Sequence, residues 1–102
     1  QSATSGVLSG PLTLALARPW PNPGPGAATL AFSLPRDSQA RLEVLDVTGR
    51  CVAVHEGRFA AGRYQWRWDG TQLSGARAEA GLYFVRMTSS LGVRQQRLVL
   101  LR

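Results

Sequence analysis

Apolar and polar residues alternate with a period of two along most of this chain, and no stretch repeats with the period of a helix. Leu12, Leu14 and Leu16 fall on one side of a first predicted strand, Leu12 to Ala17. Leu30, Phe32 and Leu34 do the same over Ala28 to Leu34, which Pro35 ends. Arg36-Asp37-Ser38-Gln39 reads as a turn, and Ala40 to Val47 as a third strand with Leu42 and Val44 inward. Gly49 serves the turn before a fourth strand, Cys51 to His55, and Glu56 to Gly62 reads as a loop carrying Phe59. After the polar connection Thr71 to Gly81, Leu82 to Thr88 forms a sixth strand with Tyr83, Val85 and Met87 on one face. Large apolar groups on its other face, Leu82 and Phe84, suit a central position. Ser89 to Gly92 turns the chain into a seventh strand, Val93 to Leu101.

The fifth strand lies between Gly62 and Gly70 and dominates the pattern. Tyr64, Trp66 and Trp68 alternate with Arg63, Gln65 and Arg67, so the rings share one face and the polar groups the other. Three such side chains, at roughly 150–250 Å² each, are a large share of a small core. A stacking platform for bases or sugars is the functional alternative, but charge and rings would then stand on opposite faces. Packing is the better reading. Gly62, Asp69 and Gly70 are assigned to turns, as is Gly49. Seven short strands at regular spacing predict an all-β fold, an antiparallel β-sandwich whose structural core includes Phe32, Leu42, Val44, Tyr64, Trp66, Trp68, Tyr83 and Val85.

The segment Arg18 to Gly26, with prolines at 19, 21, 23 and 25, allows neither helix nor central strand and reads as a stiff, extended connector. Residues 1–10 carry too little apolar surface to pack alone, so residues 1–14 are assigned to a flexible extension and 15–102 to the sandwich.

The 102 residues suffice for one domain with a modest core. The net charge of +6 comes entirely from Arg, without Lys and without a basic run, so it marks no nucleic-acid arm or membrane-surface patch. A single cysteine, Cys51, excludes an internal disulfide and lacks the motif of a nucleophile. One histidine, His55, argues against metal sites and His-based catalysis, and no cofactor is expected. Asp46 and Asp69 sit in turn contexts, where capping of backbone amides explains them better than acid–base work. No apolar run is long enough to span a membrane as a helix, and no signal peptide is visible. Starting at Gln1, the chain reads as processed or as excised from a longer one.

Taken in order, the landmarks are Trp20-Pro-Asn-Pro23, Leu30-Ala-Phe-Ser-Leu-Pro35 and Leu42-Glu-Val-Leu-Asp-Val-Thr-Gly-Arg50, followed by Ala61-Gly-Arg-Tyr64, Trp68-Asp-Gly70, Ala80-Gly-Leu-Tyr-Phe84 and Leu98-Val-Leu-Leu-Arg102. This series closely resembles the C-terminal sorting domain of the type IX secretion system and the related Ig-like domain of flagellar hook-capping proteins, over roughly residues 15–102. The resemblance implies an Ig-like, fibronectin-III-like sandwich without catalytic activity. It further implies a bacterial protein that is secreted or held at the cell surface, recognised in the sorting members by an outer-membrane machine.

Two non-enzymatic roles follow. A sorting or attachment tag directs a passenger; a structural module is itself the exported product and assembles with copies of itself into a polymer or filament. Only about a dozen residues precede the recognisable domain, which favours the structural role for this chain. Leu8, Leu12, Leu14 and Leu16 are the expected subunit contacts, because an extended segment with that apolar content can add to an open sheet edge of a neighbour. Pro19 to Pro25 would then be the spacer between subunits. Weak, salt-sensitive affinity for polyanions is expected from the charge, and no specific nucleic acid.

Overall fold

The alternation resolves into seven strands in a computed structural model that describes residues 12–101. They are β1 (Ala15–Leu16), β2 (Ala28–Leu34), β3 (Ser38–Leu45), β4 (Cys51–Phe59), β5 (Gly62–Trp68), β6 (Gly81–Ser89) and β7 (Gly92–Leu100). Three strands form one sheet in the order β1-β2-β5, and four form the other in the order β4-β3-β6-β7, every pair antiparallel. The fourth strand thus lies beside the third in the larger sheet, the fibronectin-III-like variant of the Ig sandwich.

The inward faces are the expected ones. Leu30, Phe32 and Leu34 of β2 meet Leu42 and Val44 of β3, Val85 and Met87 of β6, and Leu98 and Leu100 of β7 in one buried core. β6 is central in its sheet, between β3 and β7. Its outward Phe84 is half-buried and Leu82 is exposed.

Several boundaries differ from the sequence pattern. Only Ala15–Leu16 of the first segment forms a strand, paired with Phe32 and Ser33 of β2. β3 begins at Ser38, so the turn after Pro35 is shorter than expected, and β3 ends at Leu45, where a bulge interrupts its register with β4. β4 does not stop at His55 but continues to Phe59. Nothing apolar marks Glu56-Gly57-Arg58 as strand; pairing with Arg41, Ala40 and Gln39 extends it there. Gly62 is not a turn residue: it opens β5 opposite Leu34.

The connector departs most from expectation. It is docked along the outer edge of β7 and does not reach outward as a spacer. Gly24 pairs with Leu100 in a parallel bridge, its N–H donating to the Val99 carbonyl at 2.8 Å and its carbonyl accepting from Leu101 N–H at 2.7 Å. Asn22 continues this edge with its side chain, Nδ2 donating to the Arg97 carbonyl (2.9 Å) and Oδ1 accepting from Val99 N–H (3.0 Å). Two prolines flanking Asn22 follow cis peptide bonds, and Pro19 is fully buried. Further along β7, Gln96 Nε2 donates to the Leu16 carbonyl across the sheets at 2.8 Å. One open side of the sandwich is closed in this way.

Candidate functional site

Asp46, Arg50, Gln72, Glu79 and Tyr83 come together at one end of the sandwich, between the turn 46–50 and the loop 69–80. Asp46 organises the turn: its Oδ1 accepts from Thr48 Oγ1 (2.6 Å), Thr48 N–H (2.9 Å) and Arg50 N–H (3.0 Å), with Arg50 Nε 3.3 Å from Oδ2. Gly49 completes it at a φ of 88°. The Thr48 hydroxyl bond, followed by the two backbone amides, holds the Asp46 carboxyl below its ordinary range despite some desolvation. Asp69 is lowered likewise, first by the Thr71 amide and then by the Thr71 side chain. Both carboxylates are engaged in holding loops, as their turn contexts led us to expect.

Three aromatic groups fasten loops, two of them at this end. The buried Trp68 donates from Nε1 to the Thr71 carbonyl at 2.9 Å and meets the Tyr83 ring edge-on at 6.1 Å. The Tyr83 hydroxyl donates to the Glu79 carbonyl at 2.7 Å, and at the opposite end Tyr64 donates to the Ala60 carbonyl at 2.6 Å. Each tyrosine clamps a carbonyl four residues upstream, which fixes the loop that leads into its strand. Gly70 lies so close to the connector that a Cβ there would stand 1.8 Å from the Gly26 carbonyl oxygen.

Between the turn and the loop is a cleft of about 320 Å³ whose lining includes Arg50, Gln72, Glu79 and Tyr83. Val47, Leu73 and Leu82 are exposed at this end, Val47 and Leu73 to about two-thirds of their area. A second, shallower depression of about 550 Å³ lies on the outer face of the three-stranded sheet, floored by Ala15, Ala17, Ala31 and Ser33 and flanked by Arg63 and Gln65. No three His, Cys, Asp or Glu among the described residues are placed to hold a metal ion. Cys51 is half-buried; desolvation and then the nearby Glu43 raise its thiol, which makes it a poor nucleophile at neutral pH.

The residues singled out from the sequence fall into three groups. Phe32, Leu42, Val44, Trp68, Tyr83 and Val85 are buried in the core. Tyr64 and Trp66 point inward from the same strand but are only half-buried, because they lie at the mouth between β4 and β5. There His55 stacks on Trp66 at 5.2 Å, and Phe59 packs edge-on against both Phe32 and Tyr64. Of the expected subunit contacts, Leu16 is buried in its own core, Leu14 packs against that core and Leu12 is half-buried. Leu8 lies outside the described residues, as does most of the extension assigned to residues 1–14. The sequence pattern did not disclose the Asn22 clip or the His55–Trp66 stack; a lone Asn between prolines was the available signal for the first.

The fold is that of a small Ig-like sandwich of seven strands in two sheets. The chain matches the FlgD Ig-like domain family over residues 22–92 and belongs to that family. Its fold is also that of part of a solved protein, dimeric latent PorU from Porphyromonas gingivalis, with a TM-score of 0.67 at 21% identity. The likeness covers 90% of this chain and 10% of PorU, so the chain spans about a tenth of that protein's length. No curated protein matches the sequence.

Proposed function

We propose that this domain is a non-catalytic sorting and attachment module of an exported bacterial protein, read by its secretion machinery as a folded surface. The observation that carries the reading is the sandwich's likeness to a tenth of PorU, together with the ordered motifs of a type IX sorting domain. Membership of the FlgD Ig-like family agrees with an Ig-like module. The loop end, with exposed Val47, Leu73 and Leu82 around a cleft, offers the surface such a machine would contact. The test is to fuse the domain behind a periplasmic reporter in a bacterium with type IX secretion. Surface or extracellular reporter that depends on the machinery supports the proposal. Reporter retained in the periplasm refutes it.

A second reading, a structural module that associates with copies of itself, is favoured by the two edge strands β4 and β5, which share the side of the sandwich away from the connector. Sedimentation of the full chain over a range of concentrations tests it: a monomer throughout excludes it.

A further inference from the structure

The β4 edge is self-complementary. It is the last strand of the four-stranded sheet, and its described outer-edge backbone contact is a bond from Leu73 N–H to the Val52 carbonyl at 2.8 Å, near its start. Beyond that point every second residue presents its backbone N–H and C=O toward the edge, a template for a further strand. Within it, Glu56, Gly57 and Arg58 follow one another, Glu56 and Arg58 on the outer face and Gly57 between them on the inner.

We infer that two copies of this chain pair through β4, antiparallel about a two-fold axis at Gly57, to form one continuous eight-stranded sheet. In that register Glu56 stands opposite Arg58 of the other copy, twice by symmetry, and His55 stands opposite Phe59. Both pairings are of the kind that stabilises a sheet: opposite charges on one face and rings on the other. A shift of register by two residues in either direction loses the charge pairs. Arg41 already lies 2.9 Å from Glu56 in the same protomer, so each carboxylate would sit between two guanidinium groups. On the inner face the added rings would extend an existing cluster, since His55 stacks on Trp66 and Phe59 meets Tyr64 edge-on at the half-open mouth. Gly57 at the axis brings no side chain to the crowded centre. The charge pattern selects a second copy as the occupant, because it complements itself under this rotation. The proposal rests on the self-association reading and goes beyond it in naming strand, register and symmetry.

The experiment is a charge swap on the full chain, read by sedimentation velocity from micromolar to millimolar concentration. The native chain is expected to dimerise. Arg58→Glu sets carboxylates opposite each other, Glu56→Arg sets guanidinium groups opposite each other, and each is expected to weaken dimerisation by roughly tenfold or more. Circular dichroism melts confirm that both variants remain folded. Mixing the two variants restores complementary pairs, so a heterodimer of nearly native strength is the expected result. A native chain that stays monomeric overturns both this pairing and the self-association reading. A native dimer that tolerates both substitutions, or variants that do not rescue each other on mixing, overturns the β4 pairing alone.

Discussion

Replacing Asn22 by Ala should destabilise the sandwich far more than its surface position suggests. The side chain substitutes for a strand residue on the edge of β7, with bonds of 2.9 Å to the Arg97 carbonyl and 3.0 Å from the Val99 amide. Each bond contributes about 1 kcal/mol net, and an amide left partly buried without a partner costs a further ~1 kcal/mol. The sum, roughly 2–3 kcal/mol, is a large part of the ~5–15 kcal/mol that holds a domain of this size. At about 4–8 °C per kcal/mol, the melting temperature should fall by roughly 10–20 °C. Urea unfolding followed by far-ultraviolet circular dichroism measures the change, and an unaltered m-value would confirm that the two end states are the same. Hydrogen exchange adds a local readout: the Val99 amide should lose protection beyond its neighbours in β7. Trp20→Ala is the control, since Trp20 is 71% exposed and should shift stability by at most ~0.5 kcal/mol. If Asn22→Ala matches the control, the connector is merely resting on β7 and the account of the closed edge is wrong.

Burial ranks the aromatic strand: Trp68→Ala should cost about 3–5 kcal/mol and Trp66→Ala clearly less, in the same urea experiment. Equal losses would contradict the half-open mouth. Gly70→Ala should cost more than the ~1–2 kcal/mol of a left-handed residue alone, because its Cβ meets the Gly26 carbonyl, whereas Gly75→Ala, with open space at the Cβ, should cost only that amount. Asp46 and Asp69 have folded pKa values below their ordinary 3.8, so the unfolded chain binds more protons between the two values and stability rises with pH there. Their contribution should be complete above that ordinary value and disappear as acid takes pH down through the folded values. Asp46→Asn with Asp69→Asn should flatten this part of a stability-against-pH curve.

What the chain discloses in advance is whatever one-sided burial writes into it. β2 and β6 were legible to within a residue because each must turn alternate side chains into one core, and Leu30, Phe32 and Leu34 or Tyr83, Val85 and Met87 record that demand directly. The second half of β4 carries no such record. Its inward position at Gly57 has no side chain to record burial, so pairing with Ala40 of β3 decides its conformation. Depth of burial was hidden for a related reason. Alternation gives the direction of Tyr64, Trp66 and Trp68, but the depth of each depends on what the opposite sheet provides. Tyr83 meets Trp68 in the core, while His55 and Phe59 of the half-open mouth lie against Trp66 and Tyr64. Least legible of all was the treatment of the edges. Asn22 replaces a backbone with a side chain, and in the proposed dimer Glu56 and Arg58 would act through a rotation that relates one copy to another; neither leaves a period in the sequence. The sequence therefore encodes the core redundantly, over many residues, and the edges sparsely, in one or two. Single substitutions at Asn22 or Arg58 should accordingly alter closure or association while the seven-strand order survives.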